Sequence, residues 1–459
     1  MPTRTPQFPL GRRALLRAAA ALPFAGLPLL GSGAARAEIF PAESFRLDNG
    51  LEVVVTTNRR VPLVTQLLTY KVGAADETPG KSGLAHYLEH LLFKGTTRHP
   101  SGAFSAAVAA VGGRENAFTS PDSTGYWQTV PRRDLEMILD FESDRMLNLT
   151  LDPAQVIPEL DVVLEERRAR VDNRPESLLG EAVMATLFRN HPYRIPIIGW
   201  EEEIRGLTRD DALDFYETWY GPQNAVLVLG GDIDAAEARP LVERYYGPVA
   251  RRGRDSRERP REPLSRTARR VDLTSALAPL PRWSRAYLAP HRSDLAAGDL
   301  EALQLLSMVL GGASSSRLYK ALVLDQAIAT SAGSYDRAEV LDYPSLHLYA
   351  QPLPGVALAA LESAVEDQVA RLLQEGVEAE ELTKAKDRLA AAAIFARDDP
   401  KTAPRVIGSA LAIGESLEYL QAWPERVAAV EPAQVTALAR LIMEPRRSVT
   451  GSLHPELPA

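Results

Sequence analysis

Apolar and polar residues alternate with a period of two near the start of the chain, and this pattern predicts β-strands. Alternating runs at 45–47 and 51–55 flank Asn49-Gly50, a pair that is typical of a tight β-hairpin turn. The apolar run 63–72 predicts the next strand. Residues 73–83, which contain Gly and Pro, predict a loop after it.

Other segments repeat their apolar residues every three or four positions, the period of an amphipathic helix. A stripe of leucines within 81–97 predicts a helix with one face in a core; its members are Leu84, Leu88, Leu91 and Leu92. The other elements predicted for the first half are helices at 103–111, 132–147 and around 159–166, and strands at 114–120 and 124–130. In the second half we expect a strand at 284–290 and a helix at 299–310 that ends at Gly311-Gly312.

Length and composition indicate two domains after a leader, because single domains seldom exceed about 250 residues. Residues 246–270 are rich in arginine, proline and serine and lack apolar periodicity, so we expect a solvated linker at 249–270. The predicted organisation is a leader at 1–37, a first domain at 38–248 and a second domain at 271–459.

Residues 1–37 have the pattern of an export signal. Arg12-Arg13 precede an apolar run at 14–30, and Ala35-Arg36-Ala37 is typical of a cleavage site. The paired arginines resemble a twin-arginine signal, although the general export route stays open. Two prolines interrupt the apolar run, which argues against a retained anchor. We therefore expect cleavage after Ala37, a periplasmic location, and no stable membrane span in the mature chain.

Charge and cysteine content exclude some functions. The formal charge is −8, and the loss of five arginines with residues 1–37 would change it to −8 − 5 = −13. Binding of nucleic acid needs a basic surface that replaces counterions, so no nucleic-acid partner is expected. The chain contains no cysteine, which excludes disulfides and thiol catalysis.

The predicted helix within 81–97 carries chemistry at His86, Glu89 and His90. Positions i and i+4 lie on the same face of a helix, so the two imidazoles would stand side by side, as two ligands of one tetrahedral zinc do. Glu89 would lie near the metal but point elsewhere, where it could accept a proton from water. The order His-x-x-Glu-His is the inverse of the common zinc-protease helix motif.

A third ligand has to come from elsewhere, and the predicted helix around 159–166 offers carboxylates. Glu159 and Glu166 are seven residues apart, which is two helical turns, so they share one face. Glu165 is adjacent to Glu166 but is turned by about 100° around the helix, so we set it aside.

These residues resemble the zinc proteases of the pitrilysin, insulin-degrading enzyme and mitochondrial processing peptidase family. In that family a glutamate ligand follows the HxxEH helix by about 76 residues and has another glutamate seven residues before it. The sequence also resembles the family at Phe93-Lys94-Gly95-Thr96, at Asn116-Ala117-x-Thr119, at Asp122-x-Thr124-x-Tyr126, at Tyr220-Gly221-Pro222-x-Asn224 and at the second-domain segment 311–319.

The resemblance implies an α+β fold of two related α/β-sandwich domains, in which an antiparallel-rich sheet packs with helices. It implies one Zn²⁺ per chain, bound by His86, His90 and Glu166, with Glu89 as the catalytic base. Glu159 would orient a ligating histidine or the helix that carries Glu166. Asn116 and Ala117 would lie on a strand that accepts a peptide substrate as an added antiparallel strand. The implied activity is hydrolysis of peptides or unfolded segments inside an enclosed chamber.

The sequence departs from the family in its second domain. Members with a complete site carry an arginine there and, seven residues later, a tyrosine that together bind the substrate backbone. Val323 and Thr330 occupy those positions in this chain, and neither side chain can supply a guanidinium or a phenol. We therefore expect the chain to act as the zinc subunit of a heterodimer whose partner supplies the arginine and tyrosine.

Two other functions remain open. One is a catalytically silent structural subunit, since relatives in respiratory complexes keep the fold without catalysis. The other is a dedicated maturation protease for one exported peptide. The presence of all four of His86, Glu89, His90 and Glu166 argues against the structural subunit. The natural substrate and its side-chain specificity stay open.

Overall fold

A computed structural model describes residues 39–396, 399 and 401–456. The predicted export signal, its cleavage after Ala37 and the new amino terminus at Glu38 lie outside the described residues. Within the described part of the chain, no helix combines the length and apolar character that a membrane span requires.

The first half is built around a six-stranded sheet. Its strands are β1 Glu43–Arg46, β2 Glu52–Thr57, β3 Leu63–Tyr70, β4 Arg114–Thr119, β5 Thr124–Pro131 and β6 Ala225–Gly231. Their spatial order is β1-β2-β6-β3-β5-β4, and only the β2–β6 pair is parallel. The predicted hairpin is confirmed: β1 and β2 are antiparallel, and Gly50 adopts a φ of +92° in the turn between them.

The helices of this half, except the one at 175–187, cover one face of this sheet and form the larger core with it. The helices of this half are α1 Leu84–Leu91, α2 Ala103–Ala110, α3 Leu135–Asn148, α4 Pro153–Arg167, α5 Pro175–Leu187, α6 Glu201–Ile204, α7 Arg209–Trp219 and α8 Ala235–Tyr246. The helix predicted at 132–147 starts later, at Leu135, because Pro131 ends β5 and 132–134 form a single 3₁₀ turn. The predicted leucine stripe of α1 is buried, as expected.

The second half repeats the plan with five strands. They are β7 Arg269–Ser275, β8 Arg282–Leu288, β9 Ala329–Arg337, β10 Ser345–Pro352 and β11 Ser448–Pro455, in the order β7-β11-β8-β10-β9. The helices are α9 Asp299–Gly311, α10 Arg317–Tyr319, α11 Leu358–Glu375, α12 Ala379–Ala396, α13 Thr402–Ala412, α14 Leu417–Gln421, α15 Trp423–Ala429 and α16 Pro432–Ile442. The predicted mixture of two antiparallel-rich sheets packed with helices is thus present.

One helix from each half of the chain packs against the sheet of the other half. Helix α5 packs on β11 and β7, where Leu179 and Val183 share a core with Val449. Helix α13 packs on β6 and β3, where Ile407 shares a core with Val228. Both sheets are therefore covered on a second face by a helix from the other half of the chain.

The segment at 249–270 contains no helix or strand before β7, but the predicted solvated linker is wrong for its middle part. The Arg259 side chain is 4% exposed and forms ion pairs with Asp76, Asp122 and Asp342 at 2.6–2.9 Å. Burial acts to lower the pKa of Arg259, but Asp76, Asp122 and Tyr193 outweigh it and raise that pKa. Because the three ion-paired carboxylates come from both halves of the chain, Arg259 lies at the contact between them.

Candidate metal centre

Helix α1 starts from a glycine turn that its surroundings hold in place. Gly83 precedes the helix with a φ of +86°, a conformation that favours glycine. Glu77 accepts hydrogen bonds from the N–H groups of Gly83 (3.0 Å) and Ala85 (2.8 Å). Two of the otherwise unsatisfied N–H groups at the helix start are thereby bonded, which fixes where α1 begins.

Three predicted ligands converge between α1 and α4. The Nε2 atoms of His86 and His90 lie 3.9 and 3.3 Å from Oε2 of Glu166, and the three ligand atoms all lie within 4.8 Å of one another. Zinc ligands at ordinary bond lengths in a tetrahedral site are separated by about 3.3 Å. The spacing of these atoms therefore fits a zinc ion with small adjustments.

His90 is oriented from behind by a carboxylate. Its Nδ1 lies 2.9 Å from Oε1 of Glu159, whose other oxygen lies 2.5 Å from Nζ of Lys94. Burial would raise the pKa of Glu159, but the hydrogen bonds with Lys94 and His90 outweigh it and lower that pKa. An ionised Glu159 behind a ligating imidazole is the usual outer support of a zinc site.

His86 differs from His90 in its surroundings. The side chain is buried, and burial together with neighbouring His90 lowers its pKa to about 4. The ring is therefore neutral at pH 7, the form in which imidazole binds metals. Its Nδ1 has no hydrogen-bond partner among the described residues, so packing alone orients the ring.

The carboxylate of Glu89 contacts β4. Its Oε2 accepts a hydrogen bond from Oγ1 of Thr119 at 2.5 Å. Burial raises the pKa of Glu89, and the Thr119 hydrogen bond opposes that rise. A carboxylate with a raised pKa beside a metal site is suited to take up a proton.

Glu166 and Glu165 have separate partners. Glu166 forms an ion pair with Arg170, one turn further along the chain. Glu165 is exposed and pairs with Arg168 at 3.1 Å. This placement agrees with setting Glu165 aside on helical geometry.

The other predicted residues lie on edge strands. Asn116 and Ala117 are in β4, which pairs only with β5 among the described strands, and the Ala117 N–H donates to Oδ1 of Asn116 at 2.9 Å. Thr330 is in β9, which is likewise at the edge of its sheet in the described part of the chain, and it donates to the Gln351 carbonyl. Val323 packs against the core of the second half.

Comparison with known families extends these observations to the whole chain. A family model described as Insulinase (Peptidase family M16) matches residues 52–201, and one described as Peptidase M16 inactive domain matches 206–389. An uncharacterized zinc protease of Mycobacterium leprae is 30% identical over 410 residues, which are 87% of this chain and 89% of that protein. The chain belongs to the M16 family of peptidases.

Other relatives and solved structures share its sequence or its fold. Zinc protease PqqE of Helicobacter pylori is 31% identical over 75% of this chain and 77% of its own. The crystal structure of a protease from H. pylori matches with a TM-score of 0.84 at 28% sequence identity. The match covers 91% of this chain and 100% of the H. pylori chain. Pitrilysin shares the fold at 17% identity with a TM-score of 0.77, but only 46% of its chain is covered. The zinc protease relatives support a metallopeptidase of the M16 type.

The sequence predicted the candidate ligands, the candidate base and Glu159 behind them, but not the other supporting residues. Lys94 and Thr119 belong to the motifs that resemble the family, but the sequence assigns no role to either. In the structure Lys94 contacts Glu159, and Thr119 donates a hydrogen bond to Glu89. Glu77 had no sequence signal, because its contact with the start of α1 depends on how the 73–83 loop folds back.

Thr119 provides a test of the support given to Glu89. Thr119→Val should lower kcat for a quenched peptide by about 10- to 100-fold, because a hydrogen bond to a charged group contributes about 1.5–3 kcal/mol. Thr119→Ser keeps the hydroxyl and should retain most of the activity. Zinc content should be unchanged in both variants. Equal activity of the Val and Ser variants would contradict this role.

Proposed function

We propose that this M16 protein is a zinc-dependent endopeptidase. The observation that carries the proposal is the convergence of His86, His90 and Glu166 near the half-buried side chain of Glu89. Three protein ligands leave one position of a tetrahedral ion open, which is typical of catalytic rather than structural zinc. When bound, zinc supplies Lewis-acid polarisation of the scissile carbonyl and makes water easier to deprotonate.

Glu89 carries the proton transfers in this proposal. It takes the proton that the attacking water releases and passes it to the leaving amine. Thr119 keeps one of its oxygens oriented, and burial holds its pKa closer to the working range of a base. Glu159 and Lys94 act behind His90, whose ring orientation they maintain.

The edge strand β4 supports peptides as the substrate class. An unpaired strand edge offers backbone N–H and C=O groups to an added strand whatever its side chains. Asn116 and Ala117 lie on this edge, and Thr119 of the same strand reaches Glu89. A peptide that pairs with β4 would be held next to the base in an extended conformation. We assign backbone binding to Asn116 and Ala117 on this ground.

We further infer a heterodimer in which this chain is the zinc subunit. Val323 and Thr330 stand where complete M16 sites have an arginine and a tyrosine, and a homodimer would have no such pair at these positions. Extended substrate has to be held against the metal in register, and charge-assisted donors contribute to that alignment. The chain corresponds to about half of pitrilysin, which leaves room for a second chain of similar size.

The alternative of a silent structural subunit is less well supported. A purely structural subunit would not need a candidate base, three candidate ligand groups and the carboxylate of Glu159 in one place. A dedicated maturation protease would use the same site, so only its natural substrate would separate it from a general peptidase.

Two substitutions test the ligand and base assignments. Glu89→Gln should keep one zinc per chain but lose nearly all hydrolysis, because it removes the base and leaves the ligands. Glu166→Gln should lose both zinc and activity. Metal analysis of the two purified proteins, with the wild type as control, decides between these roles. Equal zinc loss in both variants would refute them.

The heterodimer is tested by activity with and without a partner. The purified chain alone should hydrolyse a quenched peptide poorly. A related chain from the same organism that carries the arginine and tyrosine should raise its activity by at least about tenfold, as expected for a lost charge-assisted contact. The control is that partner with its arginine replaced by alanine. Full activity of the homodimer, undiminished in Val323→Ala/Thr330→Ala, would contradict the proposal.

Export to the periplasm follows from residues 1–37 and stays a prediction. Sequencing the amino terminus of the protein from fractionated cells should find Glu38 first, in the periplasmic fraction. Intact Met1 on cytoplasmic protein would be the opposite result.

A further inference from the structure

Arg167 directly follows the proposed ligand Glu166 and is the last residue of α4. Consecutive helical residues point about 100° apart, so Arg167 extends away from the three ligand atoms. Its side chain is only 7% exposed. An arginine buried next to a metal ligand, but directed elsewhere, has to satisfy its charge with the surrounding protein.

Two groups from other elements accept hydrogen bonds from the Arg167 guanidinium, and Oδ1 of Asp172 lies 3.4 Å from its Nη2. Glu181 of α5 binds it in a bidentate manner, with Nη1–Oε2 and Nη2–Oε1 distances of 2.9 and 3.0 Å. The Gly199 carbonyl accepts from Nη1 at 2.7 Å. Bidentate arginine–carboxylate pairs are the geometrically stricter kind of ion pair, so the end of α4 is held in both distance and direction.

Gly199 connects this contact to the other ligand helix. It has a φ of +89°, and a Cβ there would lie 2.5 Å from the Ser82 carbonyl and 2.7 Å from Cα of Gly83. The N–H of Trp200 also donates to Oγ of Ser82 at 2.9 Å. The backbone at 199–200 therefore lies directly against the start of α1, which carries His86 and His90.

Glu181 connects the same contact to the second half of the chain. It belongs to α5, whose Leu179 and Val183 are buried against the second sheet beside Val449. The second half provides none of the three ligand atoms. The second half is connected to the proposed metal centre by packing against α5 and by the Glu181–Arg167 ion pair.

We propose that Arg167 is a positioning residue for the metal centre. Held by Glu181 and the Gly199 carbonyl, it sets the Glu166 end of α4 against the start of α1. It thereby makes metal affinity depend on the packing of α5 against the second sheet. This inference rests on the proposed zinc site, and it concerns how tightly that site binds, not whether the chain is a peptidase.

Arg167→Lys is the main test, since it keeps the charge but loses the bidentate geometry. Arg317→Lys is a matched control, because Arg317 is bidentate to Glu381 at 2.8 and 2.6 Å, bonds the Gly376 carbonyl at 2.8 Å, and lies in the second half. Glu181→Gln is a milder second variant that keeps the shape of the side chain. The full chain is used throughout.

The measurements are the Zn²⁺ dissociation constant, by competition with a chromogenic chelator, and the visible spectrum of the Co²⁺-loaded protein. Arg167→Lys should weaken Zn²⁺ binding by about 10- to 100-fold and shift the Co²⁺ bands, as loss of outer support does in other zinc sites. Glu181→Gln should also weaken Zn²⁺ binding and shift the Co²⁺ bands. The Arg167→Lys/Glu181→Gln double variant should bind Zn²⁺ no more weakly than Arg167→Lys alone. The Zn²⁺ affinity of Arg317→Lys should stay within about twofold of the wild type. This should hold even if its melting temperature falls as far as that of Arg167→Lys.

Unchanged affinity and Co²⁺ spectrum in Arg167→Lys would overturn the inference while leaving the zinc site intact. Equal weakening by Arg317→Lys would also overturn it, because the effect would then be general destabilisation. A wild-type chain that binds no Zn²⁺, or binds it equally well after His86→Ala, would instead overturn the proposed function and this inference with it.

Discussion

The relative position of α1 and α4 is the constraint on which the site depends. Two of the proposed ligands come from one helix and the third from another, and donor atoms have to converge to within a few tenths of an ångström of their metal-bound positions. Side-chain chemistry alone cannot achieve this, because each helix could slide or rotate. The surrounding contacts restrict both movements: Glu77 fixes where α1 starts, Glu159 fixes the ring of His90, and Arg167 fixes the end of α4.

Local sequence patterns predicted the parts of the molecule whose physics is local. The turn at Asn49-Gly50, the leucine stripe of α1 and the seven-residue spacing of Glu159 and Glu166 all depend on backbone geometry within one element. These patterns give the helices and strands to within a few residues. The ligand assignment needed more, because bringing His90 and Glu166 together depends on how two distant segments fold, and only the resemblance to a family supplied that.

Long-range contacts could not be predicted from composition. Residues 249–270 have the composition of a solvated linker, but Arg259 is buried because Asp76, Asp122 and Asp342 surround it. The same composition would be exposed if those carboxylates lay elsewhere. The hydrogen bond between Thr119 and Glu89 is equally non-local, since β4 and α1 meet only in the folded sheet. Whether a charged or polar residue is buried depends on its neighbours more than it does for an apolar residue.

The exchange of helices between the halves has a consequence for the order in which the chain can fold. Helix α5 ends at residue 187, but β11, on which it packs, begins at residue 448 and is the last strand among the described residues. While the protein is being synthesised, Leu179, Val183 and Leu187 lack the β11 part of their partner surface until residues 448–455 have been added. The half that carries all three proposed ligand groups therefore stays incomplete until most of the other half has been made. An interrupted chain would hold the zinc motif on a body with an exposed apolar face, a state prone to aggregation.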